Sequence, residues 1–322
     1  MMNPEEKQTL NLPFTGICTF GKYPICESIE KLKELKADVA VVGVPNDMGT
    51  QWKSGARMGP RGVREGSTLY SFGLDGAYDI ENDITYLGPK WKVFDVGDVD
   101  IVHGDLMQSH ENTEATLSKI VEQDAMPVII GGDHSITAAT GKGLEALGPF
   151  HVLQIDAHLD WADHRSGQRY GHGSCIRRLS EMDHVKNIYQ FGIRGISSSL
   201  KEDVDAAHEY GATILSPKKM REKGAEKLAE LIPKGEKLYI TIDIDGIDPS
   251  IAPGTGTPSP GGLLYDEVNE LLKAVAKHNE VIGFDLVEVA PMYDQTGMTV
   301  PNCSTCHVRF IKLCIKRKRI KR

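Results

Sequence analysis

The sequence predicts an α/β protein in which a mostly parallel sheet of about eight strands lies between layers of helices. Short segments rich in β-branched residues alternate with longer segments of helical period. Several strand candidates are apolar at every position, which is typical of strands that are covered on both faces. Regular alternation of strand and helix favours right-handed crossovers and therefore parallel strands.

The elements follow one another without a break from residue 38 to about residue 288. Segments with the composition of strands are 38–44, 92–95, 126–130, 150–156, 187–193, 212–215, 237–243 and 280–285. Segments with apolar residues at helical spacing are 27–36, 111–123, 135–147, 201–210, 217–231 and 264–278. We therefore expect residues 1–299 to form a single domain.

The end of the chain has a different composition. From Val308 to Arg322 eight residues are Lys or Arg and none is acidic, and Cys-Ser-Thr-Cys-His precedes them at 303–307. We treat 300–322 as an atypical basic tail. A solvated, poorly ordered end is expected, and a contact with anionic partners is the alternative.

Composition excludes several classes of function. The chain has 322 residues, 40% hydrophobic and 25% charged, which is typical of a globular protein with a sizeable core. Its net charge of −8 argues against a nucleic-acid surface. No apolar run approaches the roughly 18 residues of a membrane helix, and the acidic start does not resemble a secretory signal. Six cysteines are too few for a disulfide framework, so we expect a cytoplasmic protein.

Four segments rich in metal-binding side chains each follow a predicted strand. They are Gly-Gly-Asp-His-Ser at 131–135, Asp-Ala-His-Leu-Asp at 156–160, Asp-Ile-Asp-Gly-Ile-Asp-Pro at 243–249 and Asp-Leu-Val-Glu at 285–288. Ligands of parallel sheets bind at the carboxyl ends of the strands. Each segment alone is compatible with a turn or a helix cap. Together they predict one site at one edge of the sheet.

The chemistry of these side chains indicates divalent cations. Several carboxylates in a small space repel one another unless a positive charge lies among them. Five or more candidate ligands favour two cations over one. A set of ligands made mainly of oxygen donors, with about two imidazoles, suits Mn²⁺, while zinc, cobalt and nickel stay possible. Residues 156–160 would span roughly 13 Å if extended, so the chain must curl after Asp156 if both ends serve one site.

These motifs resemble those of the ureohydrolase family, which includes arginase and agmatinase. The three aspartate- and histidine-containing signatures are intact, and segments 43–49 and 55–60 also look like the agmatinase branch. The resemblance covers about residues 15–298. It implies the three-layer αβα fold with an eight-stranded sheet, assembled as a homo-oligomer, a trimer or a hexamer. The tail departs from the family, whose members continue into a small-residue helix that packs on the sheet.

The resemblance also implies residue roles. Two Mn²⁺ ions per subunit would be held by two overlapping sets, which are His134, Asp156, Asp160 and Asp243 for one ion and Asp156, His158, Asp243 and Asp245 for the other. Glu288 matches the carboxylate that receives the guanidinium of the substrate. His172 matches a histidine proposed to carry protons, and Asp245 is an alternative proton donor. Asp163 and Arg169 lie in the loop expected to contact the rest of the substrate.

The expected reaction is hydrolysis of a guanidino compound. Water between two cations is acidic enough to attack the guanidinium carbon at neutral pH, which releases urea and a primary amine. Agmatine, which yields putrescine for polyamine biosynthesis, is the favoured substrate. An acid such as Asp163 would suit its distant ammonium group, whereas Arg165 or Arg169 would suit guanidinobutyrate or guanidinopropionate.

Three other classes of protein match parts of the sequence. A zinc deacylase of related fold would use a single metal, and here His134 and Asp160 are present for a second one. Cys-x-x-Cys-His at 303–307 fits the pattern of a c-type haem protein, but it lies in the tail and no export signal precedes it. A non-catalytic binding subunit is disfavoured by the complete set of metal ligands.

Overall fold

The computed structural model contains the predicted parallel sheet. It describes residues 12–71, 76–86, 88, 91–196 and 199–320, without the side chains of 305–308, 312 and 315–320. The strands are β1 (Val39–Val44), β2 (Ala77–Asp79), β3 (Ile84–Tyr86), β4 (Val93–Asp98), β5 (Met126–Gly131), β6 (Phe150–Ile155), β7 (Val185–Phe191), β8 (Thr213–Leu215), β9 (Lys237–Asp243) and β10 (Glu280–Val287). The helices are α1 (Gly59–Ser67), α2 (Leu106–Glu122), α3 (Ile136–Gly143), α4 (Cys175–Ser180), α5 (Lys201–Tyr210), α6 (Pro217–Lys223), α7 (Ala225–Ala229), α8 (Tyr265–His278) and α9 (Thr299–Ile320).

Eight strands form the sheet in the order β4-β1-β5-β10-β9-β6-β7-β8, and every neighbouring pair is parallel. This confirms the eight predicted strands. The four strands that precede the metal-binding motifs, β5, β10, β9 and β6, are consecutive at the centre of the sheet. The alternation of strands and helices along the chain does not by itself determine this order of strands.

Helices cover both faces of the sheet and give three layers. One face buries side chains of α1, α8 and α9 against Val41, Leu153 and Ile240 of the strands. The opposite face buries side chains of α2 against β1 and β5, and of α4 and α5 against β6 and β7. Consecutive strand residues divide between the two faces, as in β9, where Ile240 and Tyr239 belong to different core layers.

Two predicted helices differ in the structure. Segment 27–36 forms a short 3₁₀ helix at Ile29–Lys31 and turns, because Leu32 is its one buried side chain and a short segment without a broad buried face is a marginal helix. Segment 217–231 is divided into α6 and α7 at Gly224, whose φ of 78° lies outside the helical region. The β2–β3 hairpin and helices α1 and α4 were not predicted.

The expectation of a poorly ordered end is wrong for the first part of the tail. Residues Thr299–Ile320 form helix α9, which contacts α1, α8 and β10. Cys303, Phe310 and Ile311 are buried, and the ring of Phe310 packs edge-on against Phe284 of β10 at a centroid distance of 5.0 Å. The apolar positions in this basic segment recur at helical spacing and therefore form one buried face.

Within the described residues, none of the helices is both long enough and apolar enough to cross a bilayer.

Candidate metal centre

The predicted metal-binding motifs converge at the carboxyl ends of β5, β6, β9 and β10. His134 follows β5, Asp156 to Asp160 follow β6, and Glu288 follows β10. Asp243 is the last residue of β9, and Asp245 lies in the 3₁₀ turn Ile244–Gly246 that follows it. The four loops share one site because their strands are neighbours.

His134 lies at the centre of the first group of ligand atoms. Its Nδ1 is 2.9 Å from Oδ2 of Asp160, 3.1 Å from Oδ2 of Asp156 and 3.3 Å from Oδ2 of Asp243. The four residues are buried. The structure thus brings together the complete first set of predicted ligands.

The chain between Asp156 and Asp160 curls as predicted. Asp160 has a φ of 53°, in the left-handed region that a residue with a Cβ seldom occupies. Backbone conformations of this kind persist where the surrounding structure requires them, and they are concentrated at functional sites. In this case the turn points Asp160 back to His134 rather than along the direction of β6.

His158 and Asp245 form the second group. Nδ1 of His158 lies 3.0 Å from Oδ2 of Asp245 and 3.6 Å from Oδ1 of Asp156. Oδ1 of Asp245 accepts a hydrogen bond from the Ala157 backbone N–H at 3.2 Å. Three of the four residues of the second predicted set, Asp156, His158 and Asp245, are therefore brought together, and Asp245 reaches the group from a 3₁₀ turn.

Asp156 and Asp243 lie between the two groups. Asp156 directs Oδ2 towards His134 and Oδ1 towards His158. Asp243 directs Oδ2 towards His134, and its Oδ1 accepts a hydrogen bond from the backbone N–H of Asp245 at 2.9 Å. Asp156 therefore faces both groups of ligand atoms, whereas Asp243 faces His134 and contacts the second group through the backbone of Asp245.

The electrostatics of the cluster fit bound cations. Burial, followed by the charges of neighbouring carboxylates, raises the pKa of Asp156 and of Asp243, so ionising both without a counter-charge is costly. Burial opposes the charged form of His158, but the Asp245 carboxylate raises its pKa to about 11. Nδ1 of His134 is buried and, among the described residues, makes no hydrogen bond of favourable angle to the carboxylate oxygens that it faces. A buried imidazole nitrogen that faces three carboxylate oxygens is a donor set suited to a divalent metal.

Three groups of possible metal ligands occur in the described part of the chain. They are His134–Asp156–Asp243, Asp156–His158–Asp245 and His134–Asp160–Cys175. In each group the ligand atoms lie within 4.8 Å of one another. The first two each contain three of the four residues of a predicted set. The third contains a thiol that the sequence analysis did not consider.

Glu288 and His172 lie beside the ligand cluster. Oε1 of Glu288 accepts hydrogen bonds from the His134 backbone N–H at 2.9 Å and from Nδ1 of His172 at 3.0 Å. Glu288 is 2% exposed and has a φ of 62°, so its backbone also occupies the left-handed region. Burial opposes protonation of His172, but the hydrogen bond and charge of Glu288, together with Asp133 and Asp160, raise its pKa to about 9.

Asp163 and Arg169 are ion-paired near the surface. Oδ1 of Asp163 accepts a hydrogen bond from Nη2 of Arg178 at 2.9 Å and lies 3.4 Å from Nη2 of Arg169. Arg169 also lies 3.4 Å from Glu181. Their side chains are 47% and 51% exposed, whereas the ligand cluster is buried. Their roles in substrate binding stay predictions.

Polar residues lie behind the cluster, and of these only Asp285, from the fourth motif, was singled out by the sequence. Nε2 of His134 lies 2.9 Å from Oγ1 of Thr241, and the buried Asp285 accepts hydrogen bonds from Thr137 and Tyr239. Such partners orient metal-binding histidines. Strand alternation was an available signal, because Tyr239, Thr241 and Asp243 are two residues apart on β9 and lie on one face.

Asp133, the acid of the first motif, does not join the metal ligands. Its Oδ2 accepts a hydrogen bond from the Gly49 backbone N–H at 2.7 Å, and its Oδ1 accepts one from the backbone N–H of Ser135 at 2.9 Å. Asp133 therefore holds the loop after β1 against the loop after β5.

Comparisons with known proteins agree with the fold and the site. The family model described as Arginase family matches residues 37–309. The crystal structure of proclavaminate amidino hydrolase from Streptomyces clavuligerus superposes with a TM-score of 0.81 at 30% identity and covers 94% of this chain and 99% of that one. Guanidinobutyrase of Pseudomonas aeruginosa is 35% identical over 296 residues, 89% of this chain and 88% of its own. Agmatinase of Bacillus cereus is 33% identical over 271 residues, 82% of this chain and 87% of its own.

The three-layer fold and the site at the centre of its sheet define an enzyme that hydrolyses C–N bonds of amidines. The chain belongs to the arginase family.

Proposed function

We propose that this enzyme is a ureohydrolase that binds two Mn²⁺ ions and cleaves agmatine to urea and putrescine. The observation that carries the proposal is the pair of ligand groups around His134 and His158, which share Asp156, with Glu288 beside them. Hard oxygen donors predominate in both groups, and Mn²⁺ is bound well by such donors. When bound, the two ions would lower the pKa of coordinated water and so provide a nucleophile at neutral pH.

Glu288 positions the guanidinium group of the substrate. Its buried carboxylate is fixed by the hydrogen bonds from His134 and His172, and a carboxylate forms a charge-assisted pair with a planar guanidinium. A fixed pair of this kind aims the guanidinium carbon at the nucleophile and lowers the entropic part of the barrier.

His172 supplies the proton that the leaving amine requires. The charge of Glu288 raises its pKa and so favours the protonated imidazole, and its Nδ1 lies 3.0 Å from the carboxylate that holds the substrate. Asp245 is the alternative donor. In the overall reaction one C–N bond of the guanidinium is broken, water contributes its oxygen to urea, and the amine leaves as an ammonium ion.

A guanidino acid is the second candidate substrate. The carboxylate of Asp163, which was expected to bind the distant ammonium of agmatine, already pairs with Arg178 and Arg169. The similarity to guanidinobutyrase, 35% identity over 89% of this chain, is as great as the similarity to agmatinases, 33% over 82% and 34% over 88%. Both observations favour 4-guanidinobutyrate as the compound to compare with agmatine.

The test is urea release from agmatine, 4-guanidinobutyrate and 3-guanidinopropionate after loading with Mn²⁺. We expect turnover of at least one of them, greatest with agmatine. Turnover of none would favour a non-catalytic role, and turnover of a guanidino acid alone would overturn agmatine as the substrate. Asp163→Asn should raise KM for agmatine more than KM for 4-guanidinobutyrate if Asp163 contacts the substrate.

We further propose that the enzyme acts in the cytoplasm as a homo-oligomer, a trimer or a hexamer, and supplies putrescine to polyamine biosynthesis. Measurement of molar mass in solution by light scattering checks the oligomeric state.

A further inference from the structure

Cys175 lies beside the His134 half of the metal centre. It is the first residue of α4 and follows the 3₁₀ turn His172–Ser174, so the segment that contributes His172 also determines its position. Its Sγ donates a hydrogen bond to Oδ2 of Asp160 at 3.6 Å and lies within 4.8 Å of a ring nitrogen of His134. Cys175 is 1% exposed.

Core packing accounts for the burial of Cys175 but not for its direction. The residue belongs to the apolar cluster of this face together with Leu159, Trp161 and Leu179, where a cysteine can serve as a small hydrophobic side chain. An apolar role needs no polar neighbour for the sulfur. Here the thiol donates a hydrogen bond to a carboxylate oxygen and lies near the ring of His134, a second group of the same candidate centre.

The distance between the sulfur of Cys175 and the carboxylate oxygen of Asp160 suits a small tetrahedral cation. A sulfur at about 2.3 Å and an oxygen at about 2.1 Å from Zn²⁺ lie roughly 3.6 Å apart at a tetrahedral angle. The separation of Sγ from Oδ2 of Asp160 has this value. Thiolates favour softer ions such as zinc over manganese. The His158 group, in contrast, contains imidazole and carboxylate donors alone.

We propose that Cys175 is a metal ligand in this centre and binds a thiophilic divalent cation, Zn²⁺, Co²⁺ or Cd²⁺, together with His134 and Asp160. The two halves of the centre then prefer different metal ions, and the His134 half accepts the softer ion. Binding releases the thiol proton to solvent, as metal coordination by a thiol requires. The proposal extends the two-metal centre, but its test does not depend on turnover.

The experiment uses the full-length protein loaded with Co²⁺ in the absence of substrate. A cobalt–thiolate bond produces a sulfur-to-metal charge-transfer band in the near ultraviolet. We expect the band in the wild type and in Cys18→Ser, a control for an exposed cysteine, and its loss in Cys175→Ser and Cys175→Ala. Circular dichroism of each variant reports whether it folds.

A second measurement compares metals. Each protein is dialysed against buffered Zn²⁺ and Mn²⁺, and the ratio of bound zinc to bound manganese is measured. Loss of a residue that supports a metal site typically lowers metal affinity roughly 10- to 100-fold, so this ratio should fall at least 10-fold in Cys175→Ser. Absence of the band from cobalt-loaded wild type, or its persistence in folded Cys175→Ser, would overturn the proposal. Absence of urea release would count against the proposed function and leave the band unaffected, so the two failures are distinguishable.

Discussion

Oε1 of Glu288 lies 3.0 Å from Nδ1 of His172, and the two residues are separated by more than one hundred positions in the chain. Glu288 follows β10, and His172 opens the 3₁₀ turn before α4. The contact joins the residue that we assign to the guanidinium with the residue that we assign to proton transfer. Neither could be placed relative to the other from the sequence.

Replacing Glu288 by Gln should reduce catalysis and leave the metal content unchanged. The amide retains the size of the side chain but loses the charge that pairs with a cationic guanidinium. A hydrogen bond to a charged group contributes about 1.5–3 kcal/mol, so kcat/KM should fall roughly 10- to 100-fold. Urea release and elemental analysis measure the two effects. Glu270→Gln, at an exposed position of α8, is the control, and an unchanged kcat/KM in Glu288→Gln would contradict the assigned role.

Replacing Asp243 by Ala should remove both metal ions and abolish turnover. Asp243 lies between the two ligand groups, so its loss affects each of them. The fold should remain, because the buried carboxylates repel one another and removing one relieves that repulsion. Elemental analysis and circular dichroism check this expectation. Asp205→Ala, which removes an exposed carboxylate paired with Lys201 on α5, should retain metal and activity. Activity retained in Asp243→Ala would exclude a bridging role.

Replacing Phe310 by Ala should destabilise the whole domain. Phe310 is 1% exposed and packs against Phe284 of β10, and truncation of a buried Phe costs about 3–5 kcal/mol. Chemical denaturation measures the free energy of unfolding. Phe14→Ala, at a position 85% exposed, should change it by less than about 0.5 kcal/mol. If both variants are equally stable, α9 does not contribute to the core.

Because His110 is buried, the free energy of unfolding should be lower in mild acid than at neutral pH. Burial and the charge of Lys142 lower the pKa of His110 to about 4, from the value of about 6.5 expected in the unfolded chain. The unfolded state therefore binds more protons between these values. The stability that the neutral ring contributes is present above pH 6.5 and is lost as the pH falls towards 4. The free energy of unfolding lost through protonation of His110 is about 3 kcal/mol in total.

His110→Gln should therefore flatten the dependence of the unfolding free energy on pH between 6.5 and 4. Urea denaturation at several pH values measures this slope. His208→Gln, at an exposed position of α5, controls for the removal of an imidazole. A slope that is the same in His110→Gln and in the wild type would contradict the assignment.

Local sequence patterns were sufficient for much of the fold. All eight sheet strands were predicted, because strands buried on both faces are continuous apolar segments such as the one at β1. Helix α5 was also predicted at its observed bounds. The short helices α1 and α4 escaped prediction because a segment of two turns contains too few positions to establish a period.

The motifs that hold the candidate metal ligands were predictable because acids and histidines that cluster after apolar strands seldom have a purely structural role, and the resemblance to the ureohydrolase family implied the individual ligands. Cys175 was not predicted to lie near them, since a single cysteine is most often a buried core residue. Thr241 and Asp285 support the ligands through contacts between strands, and such contacts depend on register.

The amino-acid sequence by itself determined the α/β class, the strands and the identity of the residues that meet at the metal centre. Periodicity and residue chemistry are local properties, and they can be read along the chain. The tertiary structure alone decided that β5, β10, β9 and β6 are neighbours, that Asp160 turns back to His134 and that α9 packs on the sheet. These features depend on strand order, on a left-handed backbone conformation and on which apolar faces meet, and each of them is settled by packing between distant segments.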